Sequence, residues 1–502
     1  MAPIDTAGPA LPVYQHYIDG RPAAPVGDRY FETSDPFTGK AWAMIAQGDT
    51  RDVDLAVEAA HRAFTSGPWP KLNASQRGAL LLRLADLIGL QSQRLAAIEV
   101  RDNGKLLSEM SAQTAYMANW YRYYGGLADK IEGAVIPTDK ADVLNFTRHE
   151  PLGVVAAIVP WNSPLLLTAW KLAPALAAGN TVVVKPSEYT SASLLEFVKL
   201  IELAGFPPGV VNVVTGFGPD VGAPLSEHPR VAKVAFTGSD RTGQLIYQTA
   251  ARGLKRVSME LGGKSPNIVF ADAQLDNAVK GVISGIFAAT GQTCIAGSRL
   301  LVQRSIHDAF VERLVAFAKT ARMGNPMDLD TQVGPVTNPT QLRKILDYID
   351  IARGEGAIAV LGGDRASRPE CGQGWFVEPT IFVGVDNAMR IAQEEVFGPV
   401  LSVIPFDDEE DAVAIANDVQ FGLAAGVWTQ DMRRALSMSE RLRAGTVWVN
   451  TYRAVSYLSP FGGYKRSGLG RENGQDMIHE YLQTKSVWIS TAKEVPNPFV
   501  MR

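Results

Sequence analysis

Apolar residues recur at helical spacing through "RDVDLAVEAAHRAF" and again through "QRGALLLRLADLIGLQSQRLAAIEVRDNG". The second stretch ends in Asn103-Gly104, a stop signal, because glycine accepts the left-handed backbone that closes a helix. Helices are therefore expected to dominate the first third of the chain. From residue 153 the pattern changes. Short β-branched runs, "VVAAIVP", "TVVVKPSE", "VVNVVTG", "VAKVAFTGS" and "IVF", alternate with helical stretches such as "SASLLEFVKLIELAG". Strands that are apolar throughout are buried on both faces, so this alternation predicts a parallel sheet covered by helices, a doubly wound α/β architecture. A second series runs from about 274 to 450, with helices near "DAFVERLVAFAKTAR" and "QLRKILDYIDIARG" and strands near "LLVQ", "LSVIPF" and "GTVWVN". It predicts a second α/β domain, joined to the first without a low-complexity linker.

Composition narrows the function class. A chain of 502 residues, 46% hydrophobic, exceeds what one core usually holds, so two or three domains are expected. Its net charge of −4 comes without a Lys/Arg stripe, which argues against nucleic acid and for a small-molecule ligand. No run approaches the roughly 18 apolar residues that span a bilayer, and "MAPIDTAGPALPVYQHYIDG" lacks a basic segment followed by an apolar one. A cytoplasmic protein is expected. The two cysteines, Cys294 and Cys371, cannot form a disulfide framework, and the six histidines show no ligand spacing, so no metal site is expected.

Ligands of doubly wound sheets gather at the carboxyl ends of the strands. Those ends read "PWNSP", "KPSE", "TGFGPDVG", "FTGSDRTG" and "ELGGKSP". Any one of them is ordinary turn chemistry, and "TGFGPDVG" has GxGxxxG spacing rather than the dinucleotide fingerprint. "FTGSDRTG" is better suited to a pyrophosphate: Gly238 lets the backbone approach, and Ser239 offers a hydroxyl and an N–H at a helix start. Further along, "GQTCIAGSR" sets Cys294 among Gly291, Thr293 and Ala296, small neighbours that leave room for chemistry where a packing cysteine would have aliphatic ones.

In order, "PWNSP", "VVVKPSE", "FTGS", "MELGGKSP", "GQTCIAGSR", "EEVFGPV", "TVWVN" and "SPFGGYKRSGLGRE" span roughly residues 160 to 472. With them the chain resembles the NAD(P)-dependent aldehyde dehydrogenases of the hydrolytic, non-phosphorylating kind, and the helical first third and "YLQTKSVWIS" extend the likeness to nearly the whole chain. The resemblance implies a Rossmann-type cofactor domain at 1–128 and 151–261 and a catalytic domain at 262–466. It also implies a small oligomerisation arm at 129–150 and 467–502, which makes a homodimer or homotetramer. An aldehyde carbon must become tetrahedral before it can release hydride, and a thiolate can make that adduct. A cysteine with a pKa of about 8.5 is only a few per cent thiolate at neutral pH, so its surroundings are expected to help. By resemblance Cys294 is the nucleophile, Asn162 and the Cys294 backbone N–H stabilise the oxyanion, and Glu260 activates the water that releases the acid, with Lys264 helping to position groups nearby. Lys185 and Glu188 match the pair that holds the adenosine ribose, with Ser187 between them. Gly238 and Ser239 face the pyrophosphate, Glu395 and Phe397 hold the nicotinamide ribose and ring, and Trp161 and Leu261 border the same cleft. A carboxylate at 188 accepts from the 2′-hydroxyl of NAD and repels a 2′-phosphate, so NAD is expected over NADP. Cys371 lies outside every motif and is read as non-catalytic.

The family's substrate tunnel maps onto Ser163, Leu166, Trp170, Thr293, Ile295, Arg453, Val455 and Phe461. Many relatives carry a bulky aromatic at the Ser163 position, so this chain's mouth is expected to be wider or more polar, with Trp170 and Phe461 as an apolar collar. Arg453, if it faces the tunnel, disfavours a quaternary ammonium aldehyde and favours a carboxylate or another polar oxygen group. Two other functions share the fold. A CoA-acylating aldehyde dehydrogenase generally lacks the glutamate that Glu260 matches, and a noncatalytic structural relative would be expected to lose Cys294 or Asn162.

Overall fold

The computed structural model describes residues 11–494 and 497–500. Helices α1 (Thr50–Thr65), α2 (Ala74–Asn103) and α3 (Leu107–Leu127) form where the periodicity places them. α2 starts in a reciprocal capping box between Asn73 and Gln76 and stops at Gly104, whose φ of 78° would strain any residue with a side chain. The segment before α1 departs from the expected helical character. It holds short strands between Val13 and Ala46, most of them two to six residues long, too short to carry a legible alternation.

The first large sheet is built on β1 (Val154–Ile158), β2 (Thr181–Lys185), β3 (Val211–Val213), β4 (Val231–Thr237) and β5 (Arg256–Glu260). These are parallel and lie in the order β3-β2-β1-β4-β5, so the chain runs one way from β1 and the other way from β4. Three antiparallel strands complete the eight: His16–Ile18 and Arg21–Ala23 beyond β3, and Gly468–Leu469 beyond β5. The sheet is thus parallel only in its centre. Helix α4 (Pro164–Ala178) is buried almost all round, as its unbroken apolar sequence requires. Helix α5 (Asp240–Arg252) is amphipathic and covers the other side of the switch.

The second sheet has six parallel strands: β6 (Pro266–Val269), β7 (Arg299–Gln303), β8 (Thr380–Val383), β9 (Val400–Phe406), β10 (Ala424–Trp428) and β11 (Thr446–Val449). They lie in the order β8-β9-β7-β6-β10-β11, with Ile358–Leu361 antiparallel outside β8. A separate three-stranded sheet pairs Leu482–Ser490 with Val143–Pro151, and the latter with Val135–Ile136. Among the described residues no helix is long and apolar enough to cross a membrane.

Asn180 joins these parts. Fully buried, it accepts from the backbone N–H groups of Leu152 and Gly153 at 2.8 and 3.0 Å through Oδ1. Its Nδ2 donates to the carbonyls of Ala175 and Tyr481 at 3.2 and 2.9 Å, so one side chain ties the start of β1 and the end of α4 to the strand leading into the small sheet. Asn180→Ala would leave these groups buried without partners, and unfolding by denaturant should show a loss of about 3 kcal/mol or more. A loss within about 0.5 kcal/mol would contradict this role.

Candidate active site

A crevice forms outside the carboxyl ends of β1 and β4, where the strand order reverses. The chain leaves β1 through Pro160, Trp161 and Asn162, and leaves β4 through Gly238 and Ser239. Here lies a cavity of about 130 Å³ bordered by Trp161, Asn162, Gly238, Ser239, Glu260 and Leu261 from the strand ends of the first sheet and by Cys294, Glu395 and Phe397 from segments leading into the second. Nine of the residues expected from sequence therefore meet in one place. Leu167, Gly262, Gln341 and Lys344 join them, and of these only Gly262 lies within a sequence motif, "MELGGKSP".

The thiol loop is held from three sides. Ala289 and Thr290 adopt φ of 52° and 54°, a left-handed conformation that β-carbons resist, and Gly291 follows at 67°. A Cβ on Gly291 would lie 2.1 Å from the Gly398 carbonyl oxygen, so only glycine fits. The strained backbone is fixed by bonds from Ala289 N to Glu109 Oε1 (3.0 Å) and from Thr290 Oγ1 to the Gly334 carbonyl (3.0 Å). Gln292 receives the Thr337 N–H at 2.9 Å, and Tyr452 donates its hydroxyl to the Ile295 carbonyl at 3.0 Å. Asn162 donates from Nδ2 to the Gln292 carbonyl at 3.0 Å, which leaves its second amide proton for a ligand oxygen beside the thiol.

Electrostatics here differ from the sequence expectation in one respect. Burial, reinforced by Glu260 and Glu395, pushes the Cys294 thiol up to about 12, with only its own backbone N–H and Lys105 pulling it down. The protein on its own keeps the thiol protonated. Glu260 ends β5 with both carboxylate oxygens buried and unpartnered among the described residues. Burial raises its pKa well above the ordinary carboxylate range, the neighbouring Glu472 raises it further, and Lys171 and Arg471 oppose. Lys171 is paired with Glu472 in the interior and donates to Thr237 Oγ1 at 2.7 Å. A lysine inside the apolar helix "PLLLTAWKLAPALAA" and the last residue of "SPFGGYKRSGLGRE" were the available sequence signals for this pair.

The wall formed by Glu395 and Phe397 is also fixed. Glu395 Oε1 accepts the Gly263 N–H at 3.0 Å, and a Cβ on Gly262 would press within 2.5 Å of Glu395 Oε2. Gln341 donates to the carbonyls of Val396 and Phe397, both at 2.9 Å, and the Phe397 ring meets Trp161 edge-on at 5.2 Å. Lys185, Ser187 and Glu188 do not border the cavity. They lie at the end of β2, the next strand, with Lys185 as its last residue, whose Nζ donates to the Pro186 carbonyl at 2.7 Å and lies 3.7 Å from Glu188 Oε2. That spread suits a dinucleotide, whose adenosine end lies away from the reacting ring. The fit is supported where α5 begins: Ser239 caps it by accepting the Thr242 N–H at 3.3 Å, and a helix start presents N–H groups to an anion. Gly238 stays bare, since a Cβ would lie 2.4 Å from Phe236 Cζ.

The expected substrate residues do not border that cavity. Trp170 meets Phe461 edge-on at 5.2 Å and stacks at 6.0 Å on Trp120. Leu166 and Val455 are partly buried against the same core, Ile295 is buried, and Thr293 and Arg453 are half-buried. Ser163 Oγ accepts from Lys105 Nζ at 2.7 Å, a contact no sequence motif indicated.

These features agree with three comparisons. A model of the aldehyde dehydrogenase family matches residues 24–487. The chain is 50% identical to (Z)-2-((N-methylformamido)methylene)-5-hydroxybutyrolactone dehydrogenase of Acinetobacter baylyi, over 97% of this chain and 99% of that one. It is 48% identical to human mitochondrial aldehyde dehydrogenase, over 93% and 90%. The crystal structure of betaine aldehyde dehydrogenase from Staphylococcus aureus in complex with NAD+ is similar with a TM-score of 0.95 at 40% identity, covering 97% and 96%. The chain belongs to the aldehyde dehydrogenase family and is an NAD-dependent oxidoreductase acting on aldehydes.

Proposed function

We propose that the enzyme turns an aldehyde into its carboxylic acid through a thioester on Cys294, and the meeting of Cys294, Asn162 and Glu260 at one cavity carries this reading. The Cys294 sulfur attacks the carbonyl carbon and its proton leaves to Glu260 or water. The new oxyanion takes the free Asn162 amide proton and the Cys294 backbone N–H; losing one such donor typically costs about 10²–10³ in rate. Bound NAD supplies the acceptor for the hydride that leaves the adduct carbon, and its oxidised ring brings a positive charge to a site whose own carboxylates hold the thiol protonated. Glu395, Phe397 and Trp161 are read as its nicotinamide wall, Ser239 and Gly238 as its pyrophosphate seat, Leu261 as a further contact, and Lys185, Ser187 and Glu188 as its ribose site. Glu260 then accepts a proton from the water that cleaves the thioester, a task its raised pKa suits. The Glu188 carboxylate supports NAD over NADP.

The polar Ser163 and the half-buried Arg453 support an oxygen-rich substrate. A cationic aldehyde of the kind named for the Staphylococcus aureus relative is disfavoured beside an arginine, whereas the hydroxybutyrolactone named for the Acinetobacter baylyi relative is compatible with it. Two free thiols, Cys294 and Cys371, suit the reducing cytoplasm. NADH formation should proceed with NAD, more slowly with NADP, and be lost in Cys294→Ala by about 10³-fold or more. Activity retained by that variant would contradict the assignment.

The arm, 129–150 with 467–502, is read as the means of homodimer or homotetramer assembly. Leu482–Ser490 is an edge strand with Trp488 58% exposed and Ile489 46% exposed, an open apolar edge of the kind proteins normally cover. Light scattering should give at least a dimer at micromolar concentration, and Trp488→Lys should weaken assembly. A wild-type monomer would refute this role.

A further inference from the structure

Gly104 turns the chain inward after α2, and the next residue, Lys105, is only 5% exposed. Its backbone is pinned by the Asn103 side chain (Lys105 N to Asn103 Oδ1, 2.9 Å), and Asn103 also reaches the Asn162 carbonyl at 3.5 Å. Lys105 Nζ donates to Ser163 Oγ at 2.7 Å, and Ser163 donates in turn towards Gln113 Oε1 at 3.4 Å. Among the described residues that serine is the only acceptor for Lys105 Nζ, and no carboxylate oxygen lies within 4.0 Å of it. Two of its three N–H donors therefore have no partner among the described residues. Removing an ammonium from water without a counter-ion is strongly unfavourable, so an unpaired one at the edge of a reaction site marks a place for an anion.

Arg453 lies near enough for its charge to act on Lys105. Its neighbour Tyr452 is bonded to the carbonyl of Ile295, the residue after the nucleophile, and Arg453 itself is held at φ 66°, a conformation imposed by its surroundings. Its guanidinium makes one bond, to the Ser284 carbonyl at 3.3 Å, and likewise has no carboxylate within 4.0 Å among the described residues. Lys105 feels both Arg453 and the thiol. Lys105 is lowered to about 8 mainly by burial, with Arg453 adding to the lowering while Glu109, Glu99 and Cys294 oppose it. Glu109 and Glu99 offset part of its charge from a distance, but neither carboxylate comes within 4.0 Å of Lys105 Nζ among the described residues.

We propose that Lys105 and Arg453 together bind the far carboxylate of an oxo acid, a substrate carrying its aldehyde at one end and a carboxylate at the other. The aldehyde lies over Cys294, the intervening carbons lie along the collar of Trp170 and Phe461, and the carboxylate takes the unused N–H donors of both cations. Ser163 holds Lys105 in place and leaves the space that an aromatic side chain would fill. Lys105 is thus a specificity residue for the reaction, and this inference rests on Cys294 being the reacting thiol.

The test compares kcat/KM for succinate and glutarate semialdehydes with that for butanal and pentanal, in wild type, Lys105→Met, Lys105→Arg and Arg453→Gln. Wild type should favour the oxo acids. Each neutralising variant should reduce the ratio of oxo acid to neutral aldehyde by roughly 30-fold, chiefly through KM, and Lys105→Arg should restore most of it. Raising salt to roughly 0.5 M should raise KM for the oxo acids more than for the neutral aldehydes. Arg453→Gln alters a half-buried loop residue, so it remains informative should Lys105→Met fail to fold. A wild-type ratio near one, or variants that lower both substrate classes equally, would overturn the proposal. Absence of turnover with every aldehyde would remove the thiol's role along with it.

Discussion

Three ionisable side chains sealed from water beneath the thiol set the terms for the rest of the site. Lys171 comes from α4, Glu472 from the segment after β11, and Glu260 from the end of β5, so the cluster forms only when the first domain and the returning C-terminal chain are assembled. Lys171 faces two carboxylates, with Arg471 adding a smaller opposing charge. The Lys171–Glu472 pair uses the lysine, which leaves Glu260 without a partner and holds its proton more tightly than an ordinary glutamate does. A buried base with a raised pKa is costly to the fold and useful to the chemistry.

The same low-dielectric surroundings explain why the thiol is not ionised by the protein alone. Burial and two carboxylates favour its protonated form, and the strained turn at Ala289, Thr290 and Gly291 fixes where the sulfur sits. Position is thus built into the polypeptide, whereas charge balance is completed by what binds: a cationic ring on one side, and on the other an anionic group that meets Lys105 and Arg453.

Much of this was legible in the sequence. The strands from Val154 to Glu260 are short, continuously apolar and regularly punctuated, so both the sheet and its loaded carboxyl ends could be read, and Cys294 stood out by its small neighbours. Elements that depend on distant partners were harder to read. The strands between Val13 and Ala46 owe their form to pairing with one another and with β3 rather than to an internal period. Lys105, Lys171 and Glu472 look like ordinary charged residues in the sequence, and only tertiary packing shows that each is buried. The direction of the thiol's pKa was out of reach for a related reason: it is set first by burial and then by carboxylates 34 or more positions away in the chain.

The role of the buried cluster is tested most directly by the pH dependence of deacylation. Hydrolysis of a 4-nitrophenyl ester through the Cys294 acyl-enzyme needs no hydride step, so its deacylation rate reports the water-activating base. In wild type the rate should rise with pH through a midpoint well above the ordinary glutamate value of 4.5, because Glu260 works only once it has lost its proton. Glu472→Gln removes the like charge and frees Lys171, so the midpoint should move to lower pH. A midpoint that stays in place, or moves to higher pH, would contradict the coupling of Glu260 to Glu472.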